Sequence, residues 1–405
     1  MWRLWAIAIL GVTALGQRTQ VEQLDSALEH LPFEEWLKGG PQAHINWSLR
    51  MSPPILGENQ RLAATITIDV NGDEIRKRAI PGQLALILQI HDRGGRTYRS
   101  RPARIGTRFN PMDAAVHLRE RVYVVPGDYL VAAAIYDTES REHSLKQIRV
   151  HVPRPPRDGL SEIWRDMPGV GFAAGNTERA RLWLPLETSS PLRVDLVAIQ
   201  SVTGKPDGLL PRLQVLSQIK AANATVHLTV LDLPHRKVTF AADVNGFLDS
   251  RRVSAALGWH DPRVIHADLL SKFKEGAQFF VAQIDGLLST GEPNVDHAVI
   301  VLAAPWQFPK EGVATAKPAP GSRVFFIHCD LPGRYESSSA SHTQSPPLPD
   351  GVPSLPSSIG YMRYDNADSL ASTLAPLHPH EFHAITALEF RRALGAILHE
   401  IAGTD

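Results

Sequence analysis

Ala298-Val-Ile-Val-Leu302 and Arg323-Val-Phe-Phe-Ile327 are the two stretches on which a reading of the fold turns. Both are unbroken runs of branched and aromatic residues, with neither the alternation of a half-exposed strand nor the length of a helix. Such runs are expected where a strand is covered on both faces, as in a parallel sheet. In open sheets of that kind, ligands collect beyond the carboxyl ends of the strands. The first run stops at Ala303-Ala304-Pro305 and the second at His328-Cys329-Asp330. At the first end no side chain can ligate, donate a proton or attack a substrate.

Working outward, strand and helix patterns alternate from Leu192 onward. Val194 to Gln200 reads as a strand, Leu209 to Ile219 as a helix, and Thr225 to Asp232 as a half-buried strand turned at Pro234-His235-Arg236-Lys237 into Val238 to Ala242. Helices are expected over Phe247 to Leu257 and from Asp261-Pro262 to Leu288. The last helix opens on a capping box, Thr386-Ala-Leu-Glu389, and carries Phe390, Leu394, Ile397 and Ile401 on one stripe. The expected class for 191–405 is therefore α/β, Rossmann-like, with a mostly parallel sheet.

The order strand, helix, hairpin, helices, two strands and closing helix resembles the von Willebrand factor type A domain over about residues 190–403. The anchors are Val299-Ile-Val-Leu302, Val324-Phe-Phe-Ile327 and Glu381-Phe-His-Ala-Ile385 with the capped helix. The resemblance implies a divalent-ion site at the strand tips, built from Asp-x-Ser-x-Ser and a Thr-Asp-Gly turn. Those motifs fall here on Gln200-Ser201-Val202-Thr203-Gly204 and Ala303-Ala304-Pro305. Mg²⁺ demands hard oxygen ligands, usually carboxylates. Gln200, Val202, Gly204 and Ala304 supply none, so the metal-ion-dependent adhesion site is expected to be lost. A scaffold that mediates protein contacts is what the resemblance leaves.

Other chemistry is sparse. His378, His380 and His383, with Glu381 among them, are the densest set of zinc-type donors, and three such side chains around an open position could activate water. Their spacing matches no familiar zinc motif, and structural histidines are the alternative. Gly169-Val170-Gly171 with Gly175 lacks the strand and spacing of a nucleotide loop, and Gly204-Lys205-Pro206 lacks the Ser or Thr of a phosphate loop. No Gly-x-Ser-x-Gly elbow is present. No cofactor is expected. Cys329 is the only cysteine, so no intramolecular disulfide forms, and its apolar neighbours suggest a small buried hydrophobe.

The first part of the chain carries a different text. Met1 to Gly16, with Arg3, an apolar stretch and Ala14-Leu15-Gly16, has the pattern of a cleaved secretory signal, implying a periplasmic or extracellular protein. A short amphipathic helix is expected within 17–40. Residues 41–153 read as an antiparallel β-sandwich, with strands over Leu62 to Val70, Leu84 to Ile90, Arg119 to Val125, Tyr129 to Tyr136 and Leu145 to Val152. Asn71-Gly72 has the signature of a tight turn after the first of these. The rhythm, with the Pro126-Gly-Asp-Tyr129 turn, resembles immunoglobulin- and fibronectin-type modules. Residues 154–190 read as a linker, and the Ser- and Pro-rich 331–358 as a disordered insertion.

Lys plus Arg and Asp plus Glu both number 42, so the formal net charge of zero supplies no field to recruit nucleic acid. Locally, Arg93, Arg96, Arg99, Arg101, Arg104 and Arg108 face only Asp92. They suit either an anionic glycan or lipid headgroup, or a solvated hairpin whose charges protect a sheet edge. No membrane span is expected after signal cleavage. The sequence thus predicts an exported, non-catalytic protein that contacts another protein or a surface component, with a metal-dependent hydrolase using His378, His380 and His383 as the alternative.

Overall fold

The structure, a computed structural model, describes residues 28, 30–78, 83–105, 113–173, 182–188, 190–200, 209–220, 223–244, 248–257, 273–290, 294–303, 322–329 and 369–403. The expected signal segment, most of the expected N-terminal helix and the insertion 331–358 lie outside the described residues. These residues form two compact units, one from 1–57, 61–156 and 164–181, the other from 58–60, 157–163 and 182–405. Among the described residues, no helix is long and apolar enough to cross a membrane.

The first unit starts with the short helix α1 (Phe33–Leu37), followed by β1 (Trp47–Met51), β2 (Ile55–Leu56) and β3 (Leu62–Asn71). After helix α2 (Gly72–Arg76) come β4 (Leu84–Asp92), β5 (Thr97–Arg99), β6 (Ala103–Ile105), β7 (Ala115–Val124), β8 (Gly127–Asp137), β9 (His143–Val152) and β10 (Val170–Phe172). They make two five-stranded sheets, β1-β3-β7-β10 with β2 on β3, and β5-β4-β8-β9 with β6 on β4. Strand β3 alternates strictly, burying Leu62, Ala64, Ile66, Ile68 and Val70. β4 and β8 are buried on both faces, because Phe33 of α1 packs on Ile87, Ala132 and Ala134. The indole N–H of Trp47 on β1 donates to Ser144 Oγ on β9 at 2.9 Å, which ties the two sheets.

Two readings change here. Asn71-Gly72 is not a hairpin turn: Asn71 caps α2, its side chain accepting from Asp73 N at 2.8 Å. Glycine follows because a Cβ there would sit 2.5 Å from Asp113 O. Gly169-Val170-Gly171 is not linker either, since β10 pairs antiparallel with β7. Buried Tyr129 donates its hydroxyl to Val125 O at 2.8 Å and Gly169 O at 3.2 Å, and burial pushes that hydroxyl up to about 12.

The second unit contains β11 (Leu184–Pro185), β12 (Leu192–Ile199), α3 (Leu209–Leu216), β13 (Ile219–Lys220), β14 (Ala224–Asp232), β15 (Lys237–Asp243), α4 (Ser250–Leu257), α5 (Phe273–Ser289), β16 (Asp296–Ala303), β17 (Ser322–His328), α6 (Ser369–Leu374), β18 (His380–His383) and α7 (Ala387–Ile401). Six of the strands form one mixed sheet in the order β15-β14-β12-β16-β17-β18, antiparallel at β15 and parallel elsewhere. Val197, Ile199, Val299, Val301, Val324 and Phe326 bury one face under Phe280, Ile284 and Leu288 of α5 and Leu370 and Leu374 of α6. Leu196, Ile300 and Phe325 on the opposite face are buried too, which accounts for the unbroken apolar runs.

The expected class, a sandwich followed by a Rossmann-like, mostly parallel α/β domain, is corrected by the whole. Nine of the fourteen strand pairings among the described residues are antiparallel. Only α5, with 17 residues, and α7, with 15, exceed eight residues among the described helices. The chain is mainly β, with mixed sheets and few helices. Apolar runs report that a strand is covered, but not how much helix covers it, and that is where the sequence reading overreached.

Helix α7 shows how closely the second unit is packed. Its capping box is present, with Thr386 Oγ1 accepting from Glu389 N at 3.2 Å and Glu389 accepting from Thr386 N at 2.8 Å. Mid-helix Gly395 lies against the backbone of Gly159, and a Cβ there would stand 2.5 Å from Gly159 O. Arg391, fully buried, forks onto Asp158 and donates to Leu160 O at 3.0 Å. Gly395→Ala, which favours an isolated helix by about 1 kcal/mol, is expected to destabilise the unit by about 1–3 kcal/mol through overpacking. Arg391→Met is expected to cost about 3–5 kcal/mol because Asp158 stays buried without its partner. Urea unfolding of both variants measures these losses; wild-type midpoints would refute the packing account.

Candidate functional site

The parallel strands β14, β12, β16, β17 and β18 bring their carboxyl ends to one edge of the sheet. Pairing continues past the strands, with Gln200 N donating to Leu231 O at 2.9 Å, Cys329 N to Ala303 O at 2.7 Å and Ala384 N to His328 O at 3.0 Å. This edge is where the lost ion site was expected. Gln200 is buried there, 6% exposed. Val202, Gly204 and Ala304 lie outside the described residues.

Two charged side chains are buried at this edge: Asp232, which ends β14 and is held by His235 at 2.7 Å, and a cation. Arg212, on the inner face of α3, is 2% exposed. Its Nε donates to Glu58 Oε2 at 2.8 Å, one terminal nitrogen to Ala384 O at 2.7 Å, and the other to Ile385 O at 3.4 Å. The ring of Phe390 lies 5.3 Å below the guanidinium. Burial pulls the guanidinium pKa down, but the Cys329 sulfur and the Glu58 carboxylate outweigh it and hold the group charged, above its ordinary value. A fixed buried cation repels a second one, and in a low-dielectric setting that repulsion is weakly screened. Cys329 is buried as expected from its neighbours, though beside a guanidinium that the sequence did not reveal.

The histidines divide. On β18 the register sets His380 against Phe325 and His383 against His328, three residues apart and so on opposite faces. His380 Nδ1 meets Glu400 at 3.0 Å, whereas His383 stacks on His328 with centroids 4.4 Å apart. His378 is exposed in a left-handed conformation, φ 50°. His328 is buried, with Phe326 4.1 Å away on its ring and Glu381 3.1 Å from its Nε2. Among the described residues, no three His, Cys, Asp or Glu side chains converge as a metal site, so the alternative ligand set is not assembled.

At the opposite end of the sheet lies a polar network with no local sequence signature. Arg193, His297 and Ser322 are register neighbours on β12, β16 and β17. His297 Nε2 lies 2.6 Å from Asp195 Oδ2 and its Nδ1 3.3 Å from Ser322 Oγ, while Arg193 donates to both Asp195 oxygens at 2.8 and 3.2 Å. Burial alone raises the Asp195 carboxyl, but the His297 and Arg193 hydrogen bonds outweigh it and hold it below the usual carboxylate range. Facing an ionised Asp195, His297 Nε2 donates to the carboxylate, and Ser322 Oγ lies against Nδ1. The order serine, imidazole, carboxylate is that of a nucleophilic triad. Two bonds from Arg193 spend the carboxylate on an ion pair, and the network ties the starts of three adjacent strands.

In the first unit, Arg93, Arg96, Arg99 and Arg101 are exposed on the β4–β5 hairpin and the segment after it, and Arg104 is half-buried. Arg108 lies outside the described residues.

A group whose folded pKa is depressed adds stability above its unfolded pKa, and that contribution is lost as pH falls through the folded value. Asp195 is therefore expected to stabilise the second unit at neutral pH, to begin losing that contribution below about pH 4, and to lose it fully only as pH falls through its lower folded value. Asp195→Asn should lower neutral stability by about 2–4 kcal/mol and flatten the fall in stability on acidification. Chemical denaturation at several pH values reads both; an unchanged acid slope would contradict the ion-pair account.

No protein-family model matches the chain, and no curated protein matches it. Among solved structures, it is similar to the structural-genomics target SoR45 at 15% identity and a TM-score of 0.19, over 28% of this chain and 91% of that one. It is similar to a β-glucuronidase of Parabacteroides merdae at 9% identity and a TM-score of 0.19, over 71% of this chain and 34% of that one. A chitinase, ChiW, of a Paenibacillus species aligns at 9% identity and a TM-score of 0.16, over 66% of this chain and 17% of that one. Likenesses this slight carry no argument about fold or activity.

Proposed function

We propose that this is an exported, non-catalytic protein that works by contact with another protein or a cell-surface component. The observation that carries the reading is Arg212. A buried, charged guanidinium, bonded to Glu58 and to the carbonyls of Ala384 and Ile385, lies at the strand-tip edge where a divalent ion would be sought. Glu58 is already committed to Arg212, Asp232 is held by His235, and among the described residues no three His, Cys, Asp or Glu side chains gather to hold Mg²⁺. From the von Willebrand type A resemblance the reading takes only that family's usual role in protein contacts. Export rests on the signal-like Met1 to Gly16. The exposed Arg93, Arg96, Arg99 and Arg101 add a surface suited to an anionic partner.

Titration calorimetry of the purified chain with Mg²⁺ and with Mn²⁺ is expected to give no specific heat; tight binding of either would overturn the reading. A fluorophosphonate probe, which acylates activated serines, is expected to leave Ser322 unlabelled. Labelling there that vanishes in His297→Ala would make the Asp195–His297–Ser322 chain a catalytic one. In an exporting host the mature chain is expected to begin at Gln17, which its intact mass reports.

A further inference from the structure

We propose that the outer edge of the sheet β5-β4-β8-β9 binds an acidic polysaccharide, whose carboxylates are taken by Arg93, Arg96, Arg99 and Arg101. The inference rests on the contact reading above and names the chemistry of one partner. Strands β5 and β6 pair with opposite halves of β4, at Gln89–His91 and at Leu84–Leu86. Residues 97–105 therefore run along the whole rim of the sheet as one broken edge strand. Arg93 and Arg96 in the β4–β5 turn, Arg99 on β5 and Arg101 just beyond it are all exposed, so four cations cluster at one end of this rim.

Internal neutralisation is slight. Asp92 is committed to its own turn, its carboxylate accepting from Arg96 N at 2.9 Å and from the Tyr98 hydroxyl at 3.0 Å. Glu34 meets Arg99 at 3.5 Å, with both side chains 51% exposed. Among the described residues, no carboxylate forms an ion pair with Arg93, Arg96 or Arg101. Exposed guanidiniums so placed offer planar forks that match carboxylates two bonds at a time.

The surroundings select among polyanions. The exposed large apolar side chains of the described residues are Ile55, Trp183, Val238 and Ile385, none of them on this rim. A bilayer surface therefore finds no apolar group to embed. Single-stranded nucleic acid finds no open aromatic platform for its bases, since Tyr98 is half-buried with its hydroxyl on Asp92. A hydrated chain carrying carboxylates needs only the cations. Edge protection against strand pairing would also place arginines here, but it predicts no ligand.

The test uses the full chain and polygalacturonate, with neutral dextran as control, in affinity electrophoresis. Retardation by polygalacturonate alone is expected, falling about tenfold or more in affinity as salt rises past the point where the Debye length shrinks below 10 Å. The triple variant Arg93→Ser, Arg96→Ser, Arg101→Ser is expected to lose about tenfold or more in affinity with an unchanged melting temperature. Should that variant unfold, the single charge reversal Arg101→Glu carries the same expectation. No retardation of the wild type, or equal retardation of the variants, would overturn the proposal, as would tighter capture by anionic phosphatidylglycerol vesicles or by oligothymidylate. Failure here leaves the metal and serine-probe outcomes untouched, because neither uses this rim.

Discussion

A guanidinium withdrawn from water keeps five N–H donors that need acceptors, and a positive charge that needs a partner. The second unit meets that demand twice. Arg212 gathers Glu58 and two carbonyls of the segment that follows β18, and Arg391 gathers Asp158 with the carbonyls of Leu160 and Gln60. Their carboxylate partners come from 58–60 and 157–163, short segments far in sequence from the strands and helices they join. Each arginine thus fixes backbone that has no ladder of its own. Gly159 and Gly395 allow the close approach that makes the second arrangement possible.

The same demand shapes the strand-tip edge. Carbonyls at the end of β18, which in a ligand-binding sheet would be free to face a crevice, are occupied by Arg212. The histidines around them are used in packing: His328 lies between Phe326 and His383, and His380 is drawn to the other face by Glu400. Among the described residues of this unit, the buried arginines and the buried His328 have their polar partners within the fold. Asp195, His297, Ser322 and Arg193 form a connected set at the far end of the sheet. Such networks rigidify a core, and they leave the exposed rims, like the arginine edge of the first unit, as surfaces for recognition.

Much of the local structure was legible. Strand positions follow from apolar alternation in β3 and from unbroken runs in β16 and β17, and the α7 cap follows from Thr386 and Glu389. Asn71-Gly72 misled because an Asn that favours a tight turn equally suits a helix cap, and the choice was made by the carbonyl of Asp113 pressing on Gly72. The Rossmann-like class misled for a related reason: burial of a strand says nothing of what buries it.

What the residues determined alone was the placement of strands, the capped last helix, the neutral overall charge and the lack of a carboxylate at Gln200, because each depends on neighbours within a few positions. Tertiary structure decided the rest. It chose which arginines are buried, which histidines share a face and which serine meets which imidazole. Those outcomes rest on pairings between residues some 25 to more than 200 positions apart, such as Ser322 with His297, Asp195 with His297 and Arg391 with Asp158, and no local pattern encodes a partner at that range.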